Sequence, residues 1–172
     1  MEAMFRDLKA NEIDCRISQI NEKGLTLLLY KDARVDMDIL DETVGAKNWQ
    51  RSHTRDNANC IIEIWDEDKK QWICKEDTGT ESFTEKEKGL ASDSFKRAGF
   101  NWGIGRELYT APFIYISIKD KEGNDNFDLK EKNGKPTTYT KFYVEAIQIT
   151  DKVITGLAIK NDKGKRVFVY KK

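Results

Sequence analysis

The sequence predicts an α+β fold with an antiparallel β-β-β-α core, in which a long helix packs on a curved sheet. A hairpin and a helix precede this core, and a β-rich C-terminal extension follows it. Three observations lead there. Residues 84–109 read as one long helix with an apolar stripe and a glycine-marked end, residues 48–75 hold three strand-like runs, and alternation returns beyond Pro112. The 172 residues suffice for one domain with a real core, and 38% hydrophobic against 35% charged residues make it globular with a charge-rich surface. Two segments are expected, a core over residues 1–112 and the β-rich extension over 113–172, packed on the same domain.

Taken in order, residues 2–10 suggest a short amphipathic helix around Met4, Phe5 and Leu8. Ile13 to Ile20 alternates and Leu25 to Tyr30 is strongly apolar; the turn Asn21-Glu22-Lys23-Gly24 joins them into a hairpin. Asp32 to Val44 is the next helix: Asp32 can cap it, Val35, Ile39, Leu40 and Val44 recur at helical spacing, and Gly45 stops it. Asn48 to Arg55, Asn59 to Trp65 and Gln71 to Lys75 read as antiparallel strands, with a charged turn at residues 66–70.

The long helix opens with Thr84 and Glu87 in a T-x-x-E capping box. Ala91, Phe95, Ala98 and Trp102 form a narrow stripe suited to packing on a sheet. A helix from Glu85 to Trp102 is about 27 Å long at ~1.5 Å per residue. Gly99 inside it costs about 1 kcal/mol against Ala, a cost that a close backbone approach would offset. Gly103 and Gly105 break it. Phe113 to Ile118 is a strand and Lys119 to Lys135 a long loop or weak hairpin. Thr138 to Ile149, Val153 to Lys160 and Arg166 to Tyr170 then form a meander.

No apolar run approaches the ~20 residues that span a bilayer, and the N-terminus lacks a signal pattern, so a cytoplasmic protein without membrane association is expected. Cys15, Cys60 and Cys74 are widely spaced without a CxxC, and His53 is the only histidine; no metal site is expected, and the cysteines read as buried free thiols. Equal numbers of basic and acidic residues, 30 each, argue against an indiscriminate polycation. The distribution is uneven, however: residues 1–45 carry six basic and ten acidic groups, residues 152–172 seven basic and one acidic.

Gly103-Ile104-Gly105 closes a helix instead of opening one, so it is no nucleotide fingerprint, and no phosphate-binding loop of the G-x-x-x-x-G-K-[ST] type exists. Neither ATP-driven chemistry nor any cofactor is expected. Glu63, Lys75 and Asp77 on neighbouring strands offer the groups of a metal-dependent nuclease, although solvent-facing strand pairing is the commoner use of such charges. Trp49, Trp65 and Trp72 are read as sheet-face packing in preference to base stacking.

Lys96 and Arg97 lie side by side away from the apolar stripe, which suits gripping a phosphate backbone. Asp93, four residues before Arg97, also offers it an ordinary ion pair, and on residues alone that use is the commoner one. Lys88 nearer the helix start, Arg106 beyond its end and Arg16 on the first hairpin are the further candidates for a positive track.

Three blocks carry a family likeness. Residues 30–35 run through 40–49, ending Gly45-Ala46-Lys47-Asn48-Trp49; residues 76–82 are an acidic, glycine-bearing lead-in; and Lys88 to Ala98 with Trp102 to Tyr109 hold a Lys-Arg-Ala core. In this order they resemble the Rad-fifty-two / Rad-twenty-two superfamily of single-strand annealing proteins, above all its short phage-type members. The resemblance implies a non-enzymatic, ATP-independent protein that anneals complementary single-stranded DNA in recombination and repair. It implies a homo-oligomeric ring or arc with a basic groove, and makes a single-strand-binding protein a candidate partner. By position, Lys96 and Arg97 match the basic pair of the signature helix, Lys88 a basic position near its start, and Arg16 a groove arginine. Phe100 departs from the pattern, standing where many members carry a further basic residue. The alternative reading is a plain single-strand-binding or partner-binding module without annealing.

Overall fold

The computed structural model describes residues 5–80 and 86–172, and only the backbone of 86–88. The strands are β1 (Asp14–Ile20), β2 (Gly24–Tyr30), β3 (Trp49–Thr54), β4 (Asn59–Asp66), β5 (Gln71–Thr78), β6 (Ile114–Ser117), β7 (Lys130–Lys132), β8 (Lys135–Thr137), β9 (Phe142–Thr150), β10 (Val153–Asn161) and β11 (Arg166–Lys171). Helix α1 spans Ala33–Val44 and α2 Lys86–Trp102. The fold is the expected α+β arrangement: a long helix packed on antiparallel sheet, a hairpin and helix before it, and a β-rich C-terminal part. The chain divides into two compact units. One comprises Asp32–Arg106 and the residues up to Asp7; the other comprises Leu8–Lys31 and Glu107–Lys172. The first hairpin thus shares a unit, and a sheet, with the C-terminal strands.

In the first unit, α1 begins where the Asp32 carboxylate accepts the Arg34 backbone N–H, and Ile39 and Leu40 carry its buried face. β3, β4 and β5 form a three-stranded antiparallel sheet in that order. Strict alternation along β4 buries Cys60, Ile62 and Ile64 on one side. That side receives α2, whose Leu90, Phe95 and Ala98 are buried, while Ala91 and Trp102 remain partly exposed. Trp49 stacks on Phe95 with centroids 6.2 Å apart, and the Trp102 indole N–H donates to the Ile62 carbonyl at 3.1 Å. Gly79 follows β5 where the chain runs against α2; a Cβ there would lie 2.6 Å from the Ser94 nitrogen, so only glycine fits. At Gly99 a Cβ would sit 3.3 Å from the buried Asp36 carboxylate, the close approach expected for a mid-helix glycine. Gly103, at φ 94°, ends α2. The capping box of Thr84 and Glu87 lies outside the described residues.

In the second unit six strands run β11-β10-β9-β1-β2-β6, all antiparallel, and the sheet curls until β11 approaches β6. Register breaks within β1 and β10 mark bulges, which add local twist. Leu25, Leu27, Ile114, Ile116, Val144, Leu157 and Ile159 line its buried side. The β9–β10 turn places Asp151 and Lys152 at φ 51° and 61°, the paired left-handed geometry of a two-residue hairpin. Residues 119–135, expected as loop or weak hairpin, contain one bridge and half of the β7–β8 ribbon.

Three expectations need correction. The N-terminal helix is absent among the described residues: 5–9 form no regular element and only Ala10–Glu12 make a single 3₁₀ turn. So short a segment does not repay helix nucleation, and the Leu8 N–H is satisfied instead by the buried Glu107 carboxylate at 2.7 Å. The meander's first strand starts at Phe142, not Thr138, because the Thr138 hydroxyl donates to the Asp128 carbonyl and holds the segment as a loop. Of the three free thiols only Cys60 is buried; Cys74 is exposed on the open face of β5. Burial pushes the Cys60 thiol up to about 11 despite the nearby Arg51, and burial with the Asp14 charge pushes Cys15 up to about 12.

Candidate nucleic-acid interface

The basic pair of α2 sits on a helix fixed from beneath. Phe95 and Ala98 face the sheet, so Lys96 and Arg97 between them are turned outward and remain partly exposed. The Arg97 Nε donates to an Asp93 carboxylate oxygen at 3.0 Å, the i,i+4 pair foreseen from the spacing. Asp93 also accepts the Thr80 backbone N–H at 2.8 Å, so one carboxylate ties the lead-in after β5 to α2. Burial pushes the Asp93 acid up, but the Thr80 and Arg97 hydrogen bonds and the charges of Arg97 and Lys96 outweigh it and hold it below its ordinary range.

Lys96 makes no ion pair among the described residues. Its charge reaches two carboxylates, Asp93 and the α1 cap Asp32. Asp32 is already held by Arg34, whose Nε lies 2.9 Å away. The patch therefore joins Arg34, Lys96 and Arg97 to Asp32 and Asp93, and among the described residues Lys96 is its cation without a direct ion pair. An ammonium in that position is a point charge available to a phosphate.

The other candidates are placed differently. Arg106 folds back onto the end of α2: its Nε and one terminal nitrogen donate to the Phe100 carbonyl at 3.0 and 2.9 Å, and the same terminal nitrogen reaches the Asn101 carbonyl at 3.1 Å. Lys75 joins it, donating to the Asn101 carbonyl at 2.9 Å and lying 4.7 Å over the Trp102 ring. Both cations satisfy the exposed carbonyls at the negative end of the helix dipole. Arg106→Ala is expected to cost about 1 kcal/mol of stability; thermal unfolding checks this. Arg16 lies on β1 in the second unit, on the outward side opposite Leu28. The Lys88 side chain lies outside the described residues.

Arg51 was not foreseen. β3 alternation sets Trp49, Arg51 and His53 on the α2 side, and the Arg51 guanidinium lies 4.7 Å over the Phe95 ring with its surface exposed. His53 meets the Ser94 hydroxyl at 3.4 Å; burial and the Arg51 charge lower its pKa. The alternating Trp-x-Arg-x-His was the available signal, but an exposed arginine over a ring needs the tertiary contact to be recognised.

The nuclease constellation does not assemble. Register pairs Glu63 with Cys74 and Cys60 with Asp77, which puts Glu63 on the open face and Lys75 and Asp77 on the helix face. Asp77 accepts from the Asn101 amide at 3.1 Å, and Glu63 from Gln50 at 2.8 Å. Two carboxylates on opposite faces of a sheet cannot share a cation. On the open face Trp65 and Trp72 pair edge to face at 5.6 Å, and Trp72 stays exposed, while Trp49 packs as expected. No helix among the described residues is long and apolar enough to cross a membrane. No family model, curated protein or solved structure matches the chain.

Proposed function

We propose that the protein binds single-stranded DNA by its phosphates through the Lys96–Arg97 pair and anneals complementary strands without ATP, working as a homo-oligomer. The observation that carries this reading is the outward pair on a helix whose opposite side is locked by Phe95 and Ala98, with Lys96 in no ion pair among the described residues. A rigid mount holds cations in a fixed register, and phosphate contacts give affinity without sequence choice. Bases left unpaired on such a mount can test a second strand, and the forming duplex supplies the driving force. Repeating a weak contact around an oligomer turns it into a continuous track by effective concentration. This also reconciles the balanced total charge with a polyanionic ligand, since only the local field matters.

The decisive experiment is annealing of two complementary labelled oligonucleotides, followed by energy transfer without nucleotide or metal. The chain is expected to raise the annealing rate well above that of naked strands, and its mass in solution to exceed that of one subunit. Binding without acceleration would reduce the protein to a plain single-strand-binding module.

A further inference from the structure

The six-stranded sheet of the second unit has a seam. β1 and β9 pair at a single position, Asp14 with Tyr143, and beyond it β1 runs on past the start of β9. A cleft of about 860 Å³ opens there, with Arg16 of β1, Lys141 just before β9, and Lys160 of β10 among its walls. The register across the seam is explicit. Tyr30 pairs with Asp14, Asp14 with Tyr143, and Tyr143 with Lys160. Direct cross-strand partners share a face, so the row Tyr30–Asp14–Tyr143–Lys160 lies on one side of the sheet. That side is outward: Tyr30 is 42% and Tyr143 46% exposed. With strands about 4.8 Å apart, the backbones that carry the two tyrosines stand roughly 10 Å from one another across Asp14.

Charge on this face is lopsided. Arg16, Lys141 and Lys160 line the cleft against the single carboxylate of Asp14. Glu145, two residues after Tyr143, is engaged by Arg166 at 2.6 Å. Arg16 has no ion-pair partner among the described residues, and its cross-strand neighbour Leu28 is exposed. Exposed aromatic rings flanked by cations, on a sheet opened at a seam, match the requirements of one ligand class: bases stack on the rings while phosphates meet the cations. An acidic peptide would use the cations but would not draw on stacking against the exposed rings.

From this we infer that the seam is a second single-strand nucleic-acid site, in which bases stack on Tyr30 and Tyr143 and the backbone contacts Arg16, Lys141 and Lys160. It rests on the reading that the ligand is a single strand, but uses a different unit and a different chemistry from the α2 pair. Bases stacked on protein are withheld from pairing, so this site captures a strand and does not present it.

The test compares a thymidine oligonucleotide with an equally charged abasic one, by fluorescence anisotropy at fixed salt. The native chain should prefer the base-bearing strand. Tyr30→Ala with Tyr143→Ala should lower affinity for it roughly ten-fold per ring and abolish the preference, whereas Tyr30→Phe with Tyr143→Phe should keep it. If the alanine pair disturbs folding by circular dichroism, Lys160→Gln alone should still reduce the salt slope. Equal binding of both oligonucleotides by the native chain, or a preference that survives the alanine pair, overturns the site. So does an acidic peptide losing affinity in the Lys160→Gln variant when the oligonucleotide does not. Lys96→Ala with Arg97→Ala should weaken both oligonucleotides alike and leave the preference intact, so failure of the α2 reading is visible separately.

Discussion

Replacing Lys96 and Arg97 together by alanine is expected to reduce single-strand affinity at least ten-fold and to flatten its salt dependence. Each phosphate contact on a single strand contributes a slope of about 0.7 in log affinity against log salt, so losing two lowers the slope by about 1.4 per subunit. The loss is one of binding and not of folding. Both side chains are partly exposed on the face of α2 away from the sheet, and alanine is the strongest helix former. The change removes the Arg97–Asp93 ion pair, with side chains 39% and 31% exposed, which is worth a few tenths of a kcal/mol. Asp93 keeps the Thr80 N–H as a donor, so its carboxylate is not stranded. Titrations between 50 and 200 mM salt, on variants matched by thermal unfolding, read both effects. An unaltered slope would take the pair out of the interface and return Arg97 to the role of an ordinary surface partner of Asp93.

What the amino-acid order discloses here is mostly local. Asp32 as a cap, Gly45 and Gly103 as stops, and the alternation of Cys60, Ile62 and Ile64 follow from contacts within a few residues, and each recurs in the fold. The Asp93–Arg97 pair belongs to the same class, since a four-residue spacing on a helix settles it. Distant contacts were not legible. Glu63 and Asp77 look like neighbours until the β4–β5 register places them on opposite faces, and a shift of one residue would have reversed that outcome. Arg106 looks like one more cation until its guanidinium is found bonding the carbonyls that α2 leaves open. Tyr30 and Tyr143 are 113 residues apart in the chain, and only the seam at Asp14 sets them in one row. The partition of the chain is likewise a long-range property: residues 14–30 join strands that begin at residues 114 and 142, and no spacing signals a pairing of that separation.

The largest stability effect is expected at Phe95. Its side chain is fully buried between α2 and the three-stranded sheet, with Trp49 stacked at 6.2 Å and the Arg51 guanidinium 4.7 Å over the ring. Phe95→Ala removes the transfer energy of an aromatic ring and leaves a cavity, for about 3–5 kcal/mol; loss of the cation–π contact adds about 0.5–1 kcal/mol. For a chain of this length that corresponds to a fall in Tm on the order of 10 °C. Phe95→Leu should cost much less, because it keeps most of the apolar volume and forfeits only the ring contacts. The difference between the two variants isolates how far the seat of the helix, and not helix propensity, holds Lys96 and Arg97 in place. Below its Tm the leucine variant should retain single-strand affinity, whereas the alanine variant should lose affinity in step with its folded fraction. Calorimetry paired with anisotropy at several temperatures checks this. An alanine variant as stable as the native chain would show that α2 is not seated through Phe95, and the fixed register assigned to the basic pair would then have no mechanical basis.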